Sequence, residues 1–198
     1  MSPFELVFAL FGLLLGLAIA EVLGGFARAL RLRRSAKAVR IGWLTPLLGL
    51  FVILDLTSFW VVAYEARDQL RANYLTLIVV SAIVGTYYLA ASLIFPDDPG
   101  EWPDFDDHYD RQNRFVILGL LGANLGSAAG QIALEIVSPT PDAAMGSDAQ
   151  IAVDGLTGLT VLALLIALIF VKGRKANAAI LVLLVAILFG SSVVELMV

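Results

Sequence analysis

IGWLTPLLGLFVILDLTSFWVVAY, residues 41–64, is an apolar run carrying one charge, Asp55, near its middle. A helix needs about 20 such residues to cross the hydrocarbon core of a bilayer. Five further windows read the same way: 4–27, 74–95, 115–137, 151–171 and 177–197. The chain is therefore expected to be all-α, a polytopic membrane protein whose six transmembrane helices form one domain over residues 1–198.

Composition supports that class and removes others. Hydrophobic residues make up 60% of the chain and charged ones 15%, where soluble domains run nearer a quarter charged. Mean hydropathy is +0.89. With no cysteine, disulfides, thiolate metal sites and catalytic thiols are excluded, and a lone histidine, His108, excludes bis-histidine haem. No cofactor or metal site is expected. A net charge of -4 gives no reason to expect nucleic-acid binding. The start, Met1-Ser2-Pro3-Phe4-Glu5, lacks the basic residues of a signal peptide, and its apolar run outlasts a signal core, so the first helix is expected to be retained.

Orientation follows from Lys and Arg, which stay on the cytoplasmic side. Eleven of the 13 lie in or beside the first, third and fifth loops: Arg28, Arg31, Arg33, Arg34, Lys37, Arg40, Arg111, Arg114, Lys172, Arg174 and Lys175. Only Arg67 and Arg71 lie on the other side. Both termini are thus expected outside the cytoplasm. Trp43, Trp60, Tyr64 and Tyr74 fall near helix ends, where interfacial aromatics belong.

Each half of the chain has three helices, so a duplicated half would insert upside down, as in many transporters. Helices 1 and 4 both carry small residues at every fourth position: Gly12, Gly16, Ala20 and Gly24, then Gly122, Gly126 and Gly130. A 3+3 inverted repeat is one reading; packing stripes that arose independently are the other. Such stripes let helices approach closely, within one chain or in a homo-oligomer.

The polar residues are few and costly in lipid. On helix 4, Asn124, Ser127, Gln131 and Glu135 share one face at about 100° per residue, with Gly119 and the glycine stripe opposite, which suggests a central helix. Helix 3 puts Ser81, Gly85, Tyr88 and Ser92 on a face, with Thr86 and Tyr87 beside it, helix 2 contributes Asp55 and helix 1 contributes Glu21. Helices 5 and 6 are nearly featureless through their middles and are expected at the periphery. Counting about 1.5 Å per residue from the basic boundary puts Glu21 at roughly 9 Å, Asn124 at about 13 Å, Asp55 at about 21 Å, Gln131 at about 24 Å and Glu135 at about 30 Å. Facing one another, these would make a polar ladder for a proton or cation. Asp55 is the hardest to read as packing, since a mid-membrane Asp costs about 2.5–3.5 kcal/mol. Glu21 is near enough to one surface to snorkel, Glu135 near enough to the other to be hydrated, and the amides can be interhelical glue.

The third loop, residues 96–110, holds seven acids and His108. Oxygen-rich loops can bind divalent cations, but the spacing is not that of an EF-hand. Its readings are a solvated loop or a dock for a basic partner. The basic segment after helix 1 suits anionic lipid headgroups of the bilayer. No Walker loop, G-x-S-x-G, H-E-x-x-H or nucleotide fingerprint occurs.

The run Gly16-Leu17-Ala18-Ile19-Ala20-Glu21-Val22-Leu23-Gly24-Gly25-Phe26-Ala27-Arg28, followed by basic residues and Arg40-Ile41-Gly42-Trp43, resembles uncharacterised small bacterial multi-pass membrane proteins over the first two helices. The resemblance implies a bacterial inner-membrane setting and transfers no activity. The leading functional reading is a small transporter or channel for protons, ions or a small solute, with Asp55, Glu21, Asn124, Gln131, Glu135 and Tyr88 along its route. A non-transporting interaction subunit is the alternative, in which Asp55 is bonded between helices and sealed from water. An enzyme acting on lipid headgroups is a third reading, and needs the loop acids to converge with Glu21 or Arg28.

Overall fold

The computed structural model describes residues 3–33, 39–70, 73–98, 102, 104–139 and 148–195. Arg34, Lys37, Arg71, part of the acidic loop, most of the loop after helix 4 and the last residues of helix 6 lie outside these. Six helices follow one another: α1 Pro3–Arg33, α2 Leu44–Glu65, α3 Tyr74–Ser92, α4 Phe105–Val137, α5 Asp148–Phe170 and α6 Arg174–Glu195. A 3-10 turn, Ala66–Asp68, extends α2. All six are long and apolar enough to cross a membrane. Large apolar side chains cover their outer faces, among them Leu13, Leu89, Leu125 and Leu159. Contiguous apolar surface of that kind belongs in lipid. The chain is an all-α integral membrane protein.

Local chemistry explains the helix ends. Pro3 opens α1 and Pro46 lies in the first turn of α2, where a missing N–H breaks no helical bond. Asn73 caps α3 by accepting from the Thr76 N–H at 2.9 Å. Asp104 caps α4 in the same way through the Asp106 N–H, and Asp106 and Asp107 complement the helix dipole. That cap starts α4 ten residues before the apolar window from 115, so half of the expected loop is helix. α1 likewise continues past residue 27 to Arg33. At about 1.5 Å per residue these two helices reach roughly 46 and 50 Å, well beyond the membrane core, and both overshoot at the basic end.

Around the bundle the contact order is α1, α3, α4, α5, α6, α2 and back to α1, and α2 also touches α3 and α4. The central helix is therefore α2, not α4, while α5 and α6 complete the ring. α2 buries Leu48, Phe51, Val52 and Leu56 as well as Asp55. The neighbour order of the first three helices is not repeated by the last three. α1 packs extensively on α3, and α4 makes no comparable contact with α6, so a 3+3 repeat has no counterpart in the packing.

Close approach uses some glycines of the expected stripes and adds others outside them. Gly25 lies under the Phe95 ring, joining α1 to the end of α3, and Gly119 lies against Ala90, joining α4 to α3. Among the stripe residues, Gly12 meets Trp60 and Gly126 meets Ile83, whereas Gly16, Gly122 and Gly130 have open space where a side chain would project and Gly24 meets only Arg28 of its own helix. The aromatic seam Phe26–Phe95 explains the shift, because a bulky ring takes up the room that a glycine leaves.

At the basic end the connections are tied together. Phe105 N–H donates to the Arg40 carbonyl at 3.1 Å, Thr45 Oγ1 to the Phe105 carbonyl at 3.0 Å and Leu44 N–H to Asp106 Oδ1 at 3.3 Å. Arg174 bridges Asp107 and Asp110, and Arg40 lies 3.6 Å from Asp104. Four acids of the acidic loop are thus engaged by this chain's own groups, where the sequence reads as either a solvated loop or a dock for a basic partner.

Candidate functional site

One polar cluster lies in the middle of the bundle. Asp55 of α2 is 3% exposed, and its Oδ2 accepts from the Tyr87 hydroxyl of α3 at 2.8 Å and from Asn124 Nδ2 of α4 at 3.0 Å. Asn124 Nδ2 also lies 2.9 Å from the Tyr87 oxygen and 3.0 Å from the Leu120 carbonyl. No ion pair involves Asp55 among the described residues; its partners are neutral. Three helices therefore converge on one carboxyl group.

The sequence brings these groups together by making α2 and α4 cross. Leu44 of α2 and Asp106 of α4 are tied at the basic end, and Asp55 and Asn124 meet farther in. The intervening stretches are unequal, roughly 16 Å along α2 and 27 Å along α4. A tilt of α4 relative to α2 takes up that difference. Depth counting placed Asn124 nearer the basic boundary than Asp55 because it began at residue 115, ten residues inside the start of α4.

Of the other expected route residues, none joins the cluster. Glu21 pairs with Arg28 two turns along α1 at 3.1 Å. Gln131 donates to Ser127 on its own helix at 3.3 Å, and Glu135 accepts from Gln69 at 2.9 Å near the end of α4. Tyr88 is 38% exposed on the outside of α3, while its neighbour Tyr87 is fully buried. The polar ladder is not assembled in this structure. Tyr87 belongs to the buried stripe of α3 with Val84 and Ala91, and the small polar residues lie off it; in sequence that stripe reads as ordinary core.

A cavity of about 350 Å³ lies in the half of the bundle opposite the basic loops. Gln69, Asn73 and Ser138 line its outer part, and its walls come from α1, α2, α3 and α4. Its inner limit is Phe59, Val84 and Ser127. Each lies one helical turn from a member of the cluster, Phe59 from Asp55, Val84 from Tyr87 and Ser127 from Asn124. The Phe59 ring meets Tyr87 edge-on at 5.1 Å, so a side chain that lines the cavity also touches the cluster. Toward the basic end the core closes over Leu48, Phe51, Val52, Ile117 and Leu120, all essentially fully buried.

A second cavity, about 250 Å³, lies at the basic end beside Pro96, Asp97, Trp102 and His108. His108 is buried, its Nε2 lies 3.2 Å from the Leu93 carbonyl, and Trp102 packs edge-on against it. Burial lowers the His108 pKa, against the opposing pull of the Leu93 carbonyl and Asp97. The Leu93 carbonyl can only accept, so Nε2 carries the hydrogen in that contact. Among the described residues no group of three acidic, histidine or cysteine side chains is placed to hold a metal ion. Asp104 and Asp107 point to Arg40 and Arg174, so the convergence with Glu21 that headgroup chemistry needs is not formed.

Comparison with known proteins supplies no relative: no family model, curated protein or solved structure matches the chain.

Proposed function

We propose that the protein is a small membrane carrier whose charge-handling group is Asp55, held by Tyr87 and Asn124 and approached through the cavity from the end opposite the basic loops. The observation that carries this reading is the coincidence of cavity floor and cluster on three helices at once. Energetics favour a working role. A mid-membrane Asp costs about 2.5–3.5 kcal/mol, and interhelical hydrogen bonds average about 0.6 kcal/mol each. Two such bonds leave the carboxyl a net burden that an apolar residue would avoid. The closed core beyond the cluster argues for a carrier that changes conformation over a continuously open channel.

In this reading the basic end faces the cytoplasm of a bacterial inner membrane, and both termini lie outside. The open faces of Gly16 and Gly122 are where a second copy would approach.

The test is proton and cation flux into liposomes holding the purified protein, wild type against Asp55→Asn. Flux in the wild type should fall at least ten-fold in the variant. Absence of flux under imposed proton and cation gradients would contradict the carrier. It would favour the second reading, an interaction subunit, for which the specific observation is that Asp55 already ties three helices together.

A further inference from the structure

Four features of the cavity bear on what it holds. Its volume, about 350 Å³, lies in the range of small-molecule sites. Its walls are apolar and partly aromatic, with Phe8, Phe11 and Phe59 presenting rings, and no charged residue lines it. The nearest buried charge-bearing group is the Asp55 carboxyl, one turn beneath Phe59. By sequence, the cavity end of the bundle carries Glu5, Glu65, Asp68, Glu135 and Asp154 against Arg67 and Arg71, with Asp68 paired to Arg67 and Glu135 bonded to Gln69. The net acidic balance of that end raises the local concentration of cations and repels anions. Ring faces attract a quaternary or protonated amine by about 0.5–2 kcal/mol.

We infer that the cavity is a binding site for a small organic cation, an ammonium on an aromatic or branched apolar body, whose charge is drawn toward Asp55. The inference deepens the carrier reading and rests on it for the role of Asp55. The apolar body replaces the empty volume between α1, α3 and α4, and the charge sits at the inner end against Phe59. When the Phe59 ring turns off Tyr87, the ammonium and the carboxylate lie in one low-dielectric space, where their attraction far exceeds its value in water. A neutral apolar molecule would fill the same space but draw nothing from Asp55 or from the acidic balance of that end. An anion would meet acidic groups at both ends.

The probes are benzyltrimethylammonium and its uncharged carbon isostere, neopentylbenzene, equal in shape and differing in charge. Each is titrated calorimetrically into the full chain in lipid nanodiscs, with empty nanodiscs as the blank. The cation should bind at least ten-fold more tightly than the isostere. Asp55→Asn should bring the two affinities together while keeping the neutral probe bound, which also reports an intact fold. Phe59→Ala, which leaves the cluster in place, should tighten the cation several-fold. Gly130→Phe, at a lining position with open space around it, should abolish both. Equal affinities in the wild type, an unchanged cation preference in both Asp55→Asn and Phe59→Ala, or no binding of either probe would each overturn the site. Selective binding without flux would keep the site and remove the carrier. Flux without cation preference would do the reverse.

Discussion

Tyr87 and Tyr88 are adjacent in sequence and opposite in consequence. Tyr87 donates to Asp55 from a fully buried position, while Tyr88 lies on the outside of α3. Tyr87→Phe removes one interhelical hydrogen bond and leaves the carboxyl with Asn124 alone. It should lower stability by about 1 kcal/mol, read from unfolding by SDS in mixed micelles. Tyr88→Phe should stay within about 0.5 kcal/mol of wild type; an equal loss in both variants would mean that the cluster is not what holds Tyr87. Asp55 itself was legible in the sequence because a lone charge inside an apolar run has no local explanation. Its partners were less so. Asn124 was visible as a polar group, but Tyr87 lay on a stripe that reads as ordinary core, and which of two neighbouring tyrosines turns inward is settled by helix packing alone.

At the scale of elements, six apolar windows translated directly into six helices, because a span of that length has few alternatives in lipid. Their ends and neighbours were harder to read. α4 begins at Phe105 because Asp104 supplies a cap and its first turns bind the first loop, neither of which hydropathy records. The glycine stripes were visible, yet periodicity does not say whether a small residue meets a partner. Gly25→Ala would drive a methyl into the Phe95 ring and should cost about 1–3 kcal/mol by overpacking. Gly16→Ala, with open space around it, should be neutral within about 0.5 kcal/mol for the monomer. The same SDS titration separates them, and a large loss at Gly16 would show instead that α1 packs there against another chain.

For the whole molecule, the asymmetry between its two ends sets how it can work. At the basic end Arg174 and Arg40 tie the described connections to the Asp104–Asp110 segment, and the opposite half of the bundle holds the cavity that reaches down to Phe59. On the carrier reading proposed above, this is one of its states, with Asp55 at the boundary between the two ends. On the proposed reading this carboxyl is a working group in exchange with the cavity side, rather than a tether. The most direct test is infrared difference spectroscopy of the protein in nanodiscs as external pH is stepped, wild type minus Asp55→Asn, following the carboxyl C=O stretch. The account predicts a band assigned to Asp55 that appears and disappears with pH and shifts in D2O. A band that ignores both pH and D2O would mean that Asp55 is sealed within the bundle, and would contradict the account.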